Sequence, residues 1–376
     1  MKRSETTMCF AAACMGMAFF GITMVALGSL LPALSAKLAL AEGQKALLAT
    51  SLTGGIFLGS IIFGPVCDRY GHKGIFLTAC ILVLAGLCGI ALSTQFGLLV
   101  PSYLCIGTGG GILNGQTNTL ASDLYDDEQS RGSKLSLLGA FYGVGGIVIT
   151  ALIWLVGNQA FESIVLGIAA VLLLGIIVSA AIHFPAPKQP QSFPLGQAVK
   201  LLAQPALLIM SLVLLLESSV ESITNNLSTT YFANLEGAVL LLTFNMVGLT
   251  VARFIMTWLS TRISQQKMLY GFLTVLLVGF ILLSQARGIE LALTAMTLIG
   301  VGTAATYPVV LGLLGGKFRE LSGTAFGIAI TIALAGSTVL NALVGGLLLH
   351  IYPYVMMCCV VVMIVLFTLG ARSLKK

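Results

Sequence analysis

Three charged residues stand inside otherwise apolar stretches of the sequence. Glu217 and Glu221 are four residues apart and so share one helix face, and Arg253 lies in the next apolar stretch. At 1.5 Å per residue, Glu217 lies about 18 Å from the start of its helix and Arg253 about 14 Å from the end of the next helix. In consecutive antiparallel helices, these two ends lie on the same side of the membrane. A charge at the bilayer centre costs at least ~2.5 kcal/mol. The spacing therefore predicts a Glu217–Arg253 pair.

Glu221 is then the less neutralised acid, and two kinds of ion coupling are open to it. A carboxyl group in a dry cavity can take up and release a proton near neutral pH. A carboxylate with nearby amide oxygens can instead hold Na⁺. The alternative is structural, with both acids bracing two helices. We expect no other cofactor and no metal centre, because the eight cysteines and three histidines form no ligand motif.

Neutral polar residues in the apolar stretches outline a candidate substrate cavity. Amide and hydroxyl groups replace the water around a polar solute, although each one singly could serve as a hydrogen bond between helices. Taken together, they favour a polar site between the two halves of the chain. The predicted lining is Asn114, Gln116, Asn118, Tyr142, Asn225, Asn226, Asn245, Tyr307 and Asn341.

The elements that carry these residues are membrane-spanning helices. Of the 376 residues, 57% are hydrophobic and 9% are charged, whereas a soluble domain carries about 25% charged residues. This composition excludes a soluble enzyme, a disordered chain and a nucleic-acid-binding protein. A span needs about 20 apolar residues, and twelve are predicted, at 8–34, 46–66, 74–94, 97–122, 134–157, 160–183, 205–232, 237–260, 267–286, 289–314, 321–348 and 351–372.

Basic residues predict the orientation of the spans. Fifteen of the nineteen Lys and Arg residues fall on one side when the N-terminus is placed inside, as positive-inside topology requires. Both termini are therefore predicted to be cytoplasmic, and the short loops suit a bacterial inner membrane. The net charge of +6 reflects this topology. No phosphate-binding loop is present, so ATP is not the expected energy source.

The chain divides into two related halves. A Pro-rich polar segment, typical of a semi-rigid linker, separates six spans from six, which predicts an N-terminal bundle at 1–184, a linker at 185–204 and a C-terminal bundle at 205–376. Shifting the sequence by 193 residues aligns Arg69 with Arg262 and also aligns glycines of the third and fourth spans, among them Gly107 with Gly300. A repeat of six helices is one signature of transporters with a midplane site.

The turn after the second span carries a motif. Gly64 to Lys73 reads GPVCDRYGHK, which resembles the G-x-x-x-D-R-x-G-x-[RK] loop of the major facilitator superfamily, and Asp127 to Gly132 reads DEQSRG, similar to the element after the family's fourth helix. The resemblance implies an all-α membrane protein with twelve helices in two six-helix bundles. It also implies transport by alternating access.

The same loop predicts a cytoplasmic gate. Gly64 permits close helix approach and Gly71 a left-handed backbone, while Asp68 can pair with Arg131 or sit near the N-terminus of another helix. The alternative is a solvated ion pair worth under ~1 kcal/mol. The predicted gate residues are Gly64, Asp68, Arg69, Gly71, Lys73, Asp123, Glu128 and Arg131.

Two further stretches resemble the fucose and glucose/galactose permease branch. They are the run GTGGGILNGQTN in span four and Glu221, Leu227 and Tyr231 in span seven, where Leu227 replaces the usual Trp. We therefore expect ion-coupled uptake (symport) of a small polar solute such as a sugar, by a monomer that is not an enzyme. Proton-driven efflux of drugs or amphiphilic compounds is one alternative, and a non-transporting receptor or scaffold on the same fold is another.

Overall fold

A computed structural model describes residues 3–156, 161–188, 200–232 and 240–375. Within these residues the regular structure is helical and contains no strand. The α-helices are α1 (Arg3–Leu38), α2 (Glu42–Tyr70), α3 (His72–Ala91), α4 (Phe96–Asp123), α5 (Glu128–Val156), α6 (Phe161–Ala181), α7 (Pro205–Tyr231), α8 (Leu240–Leu259), α9 (Gln265–Gln285), α10 (Ile289–Thr303), α11 (Thr306–Lys317), α12 (Ser322–Leu343) and α13 (Tyr352–Lys375).

The predicted all-α membrane fold is confirmed. The described residues contain twelve segments long and apolar enough to cross a membrane, with α10 and α11 together forming the tenth. Several helices run beyond the apolar windows: the first was predicted at 8–34, whereas α1 covers Arg3–Leu38. Helical hydrogen bonding continues past the lipid boundary into polar residues, so apolar length underestimates helix length.

The tenth span is interrupted, which the single predicted span at 289–314 missed. α10 ends at Thr303 and α11 begins at Thr306. Pro308 has no N–H to donate to the carbonyl of Ala304, four residues earlier, and a proline ring crowds that carbonyl. The missing bond accounts for the break.

Two compact units make up the chain, and each contains residues from both sequence halves. Unit 1 comprises Met1–Leu124, Phe141–Leu195 and Glu320–Gly327, and unit 2 comprises Tyr125–Ala140, Gly196–Arg319 and Ile328–Lys376. The first turns of α5 thus belong to unit 2, and the first turns of α12 belong to unit 1. The division into bundles at 1–184 and 205–376 stays a prediction, and most of the predicted linker lies outside the described residues.

In unit 1, α4 packs against α1, α2 and α3. Its glycines allow this, because a Cβ added at Gly107 or Gly111 would overlap the carbonyl oxygen of Leu52 or Ile56 in α2. Close approach through small residues is how helices associate in lipid, where burial of apolar surface gives no driving force. The glycine run of span four is therefore a packing surface.

The 193-residue repeat extends to these contacts. In unit 2, a Cβ added at Gly300 would overlap the carbonyl oxygen of Asn245, and one added at Gly279 would press on Ile299. Each of these residues has a counterpart in unit 1, 193 residues earlier, that makes the same contact: Gly107 with Leu52, and Gly86 with Ile106. Equivalent helices therefore contact each other through equivalent glycines in both units.

Candidate functional site

The turn between α2 and α3 is a single residue, Gly71. Its φ of 81° lies in the left-handed region, as predicted, and its N–H donates to the carbonyl of Cys67 at 2.8 Å. A glycine adopts this conformation without the strain of a Cβ. The turn therefore keeps the side chains at the end of α2 close to those at the start of α3.

Asp68, near the end of α2, is 1% exposed and accepts three hydrogen bonds. The donors are the N–H of Gly323 at 3.1 Å, the N–H of Thr324 at 2.7 Å and the hydroxyl of Thr324 at 2.6 Å. Both amides lie in the first turn of α12, where N–H groups lack helical partners and the helix dipole is positive. The sequence predicts that Asp68 either pairs with Arg131 or lies near the N-terminus of another helix, and the structure shows the second arrangement.

Asp123, at the end of α4, pairs with His72. The Nε2 atom of His72 lies 3.1 Å from Oδ2 of Asp123, and its Nδ1 lies 3.3 Å from Sγ of Cys67. No role was predicted for His72, which lies in the predicted loop before the third span at 74–94. That was wrong: His72 is the first residue of α3 and is 4% exposed. No described group of three or more His, Cys, Asp or Glu residues could hold a metal ion.

Lys188 completes this group, although the sequence analysis assigned it only to the linker. Its Nζ atom lies 2.7 Å from Oδ1 of Asp123 and 2.6 Å from Oγ of Ser322. Ser322 also donates to Oδ1 of Asp123 at 2.9 Å. We call the side chains of Asp68, His72, Asp123, Lys188, Ser322 and Thr324, together with the N–H of Gly323, the corner cluster.

The remaining predicted gate residues are divided between the units. Gly64 packs on α12, where an added Cβ would come within 2.6 Å of the carbonyl oxygen of Gly323. Arg69 lies over the ring of Tyr70, and Lys73 is half-buried. In unit 2, Arg131 donates to the carbonyls of Gly312 at 3.3 Å and Asp126 at 2.9 Å, and Glu128 is exposed with its carbonyl accepting from Gln265.

Unit 2 holds the three predicted coupling residues together with Tyr307, and we call these four the acid cluster. Glu217 is fully buried, and neither carboxylate oxygen accepts a hydrogen bond from any residue that the structure describes. It interacts electrostatically with Glu221 and Arg253. Arg253 is 5% exposed and donates from Nη1 to the carbonyl of Gly139 at 2.9 Å. The predicted Glu217–Arg253 pair is thus electrostatic, without a hydrogen bond.

Further polar groups lie on α7 and in unit 2 beside Tyr307 and the three charged residues. Tyr307 interacts with the side chain of Ser218 and with the charges of the acid cluster. Asn226 donates to Oδ1 of Asn341 at 3.2 Å, and Asn341 donates to Ser222, which the sequence analysis missed. Oδ1 of Asn225 is buried and accepts no bond within the described chain. Asn245, 3% exposed, packs behind Gly300 of α10.

The predicted cavity residues of unit 1 are neutral and largely satisfied. Asn118 donates to the carbonyl of Asn114 at 2.7 Å and to its Oδ1 at 3.2 Å. Gln116 reaches the carbonyl of His72 at 3.5 Å instead, since two residues of offset turn it to another helix face. Tyr142 packs on Phe20, with ring centroids 5.5 Å apart. A shared cavity for all nine residues stays a prediction.

Comparison with known proteins places these features in a family. A profile of the Major Facilitator Superfamily matches residues 8–237, more than half of the chain. Over 185 residues the chain is 26% identical to a putative metabolite transport protein, YwtG, of Bacillus subtilis, which covers 47% of this chain and 39% of that protein. The chain spans between 30% and 39% of the length of the first curated relatives that it matches.

Solved structures share the fold over nearly the whole chain. The transporter FucP in its outward conformation superposes with a TM-score of 0.80 at 18% identity, covering 97% of this chain and 99% of that one. FucP is described as the E. coli fucose:proton symporter. The proton:xylose symporter XylE gives a TM-score of 0.80 at 14% identity, with 97% and 95% covered. At these identities the likeness shows the fold alone.

Proposed function

Because the chain belongs to the Major Facilitator Superfamily of transporters, we propose that it imports a small polar solute, such as a sugar or related metabolite, together with a proton. The observation that carries this proposal is the buried Glu217 carboxylate, whose oxygens accept no hydrogen bond within the described residues. A buried polar group without partners is costly and calls for an explanation. A site that binds and releases an ion supplies one.

At Glu217, the spacing of oxygen atoms along α7 favours a proton over Na⁺. A buried amide oxygen on this helix that accepts no described hydrogen bond belongs to Asn225, eight residues and so about 12 Å from Glu217. A metal ion needs several oxygens within about 2.5 Å of its centre. Glu217 and Asn225 are therefore too far apart to share one Na⁺, whereas a proton requires a single carboxyl group.

Burial then links the proton to movement. A neutral carboxylic acid is far less costly to bury than a carboxylate, so uptake of a proton favours the state in which Glu217 is closed off from water. Release of the proton requires water at the carboxylate. Arg253 and Glu221 tune this exchange, because their charges act on the same group.

The solute class rests on the neutral lining. Amide and hydroxyl groups, such as those of Asn226, Asn341 and Tyr307, suit a polyhydroxylated solute, which must exchange its hydration for protein hydrogen bonds. The printed descriptions of FucP and XylE name fucose and xylose symport for those proteins. These descriptions support a sugar as the first class to test here.

Transport by purified protein in liposomes tests the proposal. We expect solute-dependent acidification of the lumen, reported by an enclosed pH dye, that persists when Na⁺ is replaced and is lost in Glu217→Gln. Glu290→Gln serves as the matched control, because Glu290 is an exposed acid at the start of α10. Uptake that keeps its proton dependence in Glu217→Gln would refute the assignment. Proton-driven export of a hydrophobic cation would support drug efflux instead.

A further inference from the structure

The start of the segment that joins the two sequence halves is seated on the corner cluster. Pro187 lies against Gly71, where an added Cβ would come within 3.4 Å of its nitrogen. The N–H of Lys188 donates to the carbonyl of Asp68 at 3.1 Å. The sequence predicts only a semi-rigid spacer here, yet its described end is fastened to the α2–α3 turn. Backbone contacts therefore place Lys188 independently of its side chain.

The Lys188 side chain joins two helices that are far apart in sequence. Its ammonium contacts Asp123 at the end of α4 and Ser322 at the start of α12, at 2.7 Å and 2.6 Å. The side chain is 23% exposed and that of Asp123 is 6% exposed. Hydrogen bonds in which both groups are charged and shielded from water are among the stronger ones in proteins.

Ser322 is the neighbour of the residues that bind Asp68. Holding Ser322 against α4 therefore holds the N–H groups of Gly323 and Thr324 in reach of the Asp68 carboxylate. The ammonium is in ion-pair contact with Asp123 and also acts electrostatically on Asp68, while His72 contacts Asp123. Without it, like charges would face each other at the start of α12.

We propose that Lys188 is a positioning residue that clasps the first turn of α12 to α4 and thereby sets how readily the Asp68 contact opens. Through this contact Lys188 controls the rate of the transport cycle. Control of the transport rate by Lys188 rests on the proposed transport function, whereas the clasp between α12 and α4 does not. The linker then connects the two halves of the chain and also controls the opening of the gate through Lys188.

Hydrogen exchange measured by mass spectrometry tests the clasp without any solute. In Lys188→Met, which keeps the length and removes the charge, we expect about tenfold faster exchange of the amides at 322–326. Lys188→Arg keeps a cationic donor and should exchange within about twofold of the wild type. Lys200→Met is the matched control, because Lys200 is an exposed lysine of the same linker. Wild-type exchange in Lys188→Met would overturn the proposal.

A second variant guards against misfolding. Ser322→Ala removes one partner of the ammonium and should speed exchange of the same peptide by about threefold, with the rest of the chain unchanged. Faster exchange across the whole chain in both variants would indicate general instability and would also overturn the clasp. If the local effect is present but no solute is transported by the wild type, the proposed function fails and the clasp stands.

Discussion

The corner cluster and the acid cluster both bury carboxylates beside cations, and they differ in what surrounds the oxygen atoms. Asp68 and Asp123 accept hydrogen bonds at each oxygen, from helix N–H groups, hydroxyls, His72 and Lys188. Glu217 accepts none within the described residues. Saturated acids hold a structure in place, because removing a partner is costly. Glu217 has no such set of partners, so hydrogen bonds hold the acids of the corner cluster in place, whereas the acid cluster is the site where we propose that a proton is exchanged.

The largest effect should come from removing a saturated acid. Asp68→Ala leaves two amides of α12 and one hydroxyl without their acceptor, and we expect a loss of about 3 kcal/mol in the free energy of unfolding. Titration with a denaturing detergent, followed by tryptophan fluorescence, measures it. A loss below about 1 kcal/mol would erase the contrast between the two clusters.

Paired glycines probe how rigid each region is. Gly64→Ala directs a Cβ at the backbone oxygen of Gly323, 2.6 Å away, and should cost about 2 kcal/mol. Gly139→Ala meets only the flexible Arg253 side chain, at 3.1 Å, and should cost under about 1 kcal/mol. The same detergent titration compares them. Equal costs would mean that the acid cluster is as rigidly packed as the corner cluster.

Neutralising the unsatisfied acid should act in the opposite direction on stability. Glu217→Gln removes a buried acid that neighbours Glu221 while keeping the shape, and Glu221 remains to compensate the charge of Arg253, so we expect the free energy of unfolding to rise by about 1 kcal/mol. The transport assay would at the same time lose proton coupling. A variant destabilised as much as Asp68→Ala would show that Glu217 is saturated by partners after all.

Removing an exposed acid should have the smallest effect on stability, and it serves as the reference for the buried acids of the two clusters. Asp127, just before α5, accepts the N–H of Ser130 at 2.7 Å, and this hydrogen bond lowers the pKa of its carboxyl group. The stabilisation is therefore present above the unfolded pKa, about 3.9, and is lost as the pH falls through the lowered folded value. Asp127→Ala should be less stable than the wild type by under about 1 kcal/mol at pH 7. The difference should shrink as the carboxyl group becomes protonated below the unfolded pKa, and one that stays constant on acidification would contradict this account.

Much of the fold could be predicted because it depends on local composition. Apolar length alone located twelve spans, and the shared offset of Gly107 and Gly300 marked equivalent helix contacts in both units. The break in the tenth span was missed, although Pro308 is its visible cause. The length of an apolar stretch depends only on the polarity of the side chains. The break depends instead on a backbone N–H that proline lacks, so apolar length cannot detect it.

The candidate site was only partly predictable. Asp68 was identified by its motif, but the choice between its two partners depended on a helix 255 residues further along the chain. His72 and Lys188 were missed because their partners are 51 and 134 residues away, and nothing in their neighbouring residues announces those contacts. Local spacing can place a group on a helix face, but it cannot say which distant helix that face will meet.

The long separation between Asp68 and Gly323 has a consequence for biogenesis. Translation at about 5–20 residues per second leaves the finished α2 waiting roughly 13–50 s before the segment 255 residues later is made. During that interval the Asp68 carboxylate lacks the amides that will bind it. The corner cluster can close only once the start of α12 has been made, so its closure is a late step of assembly. A chain truncated before α12 would leave this acid without its two amide donors.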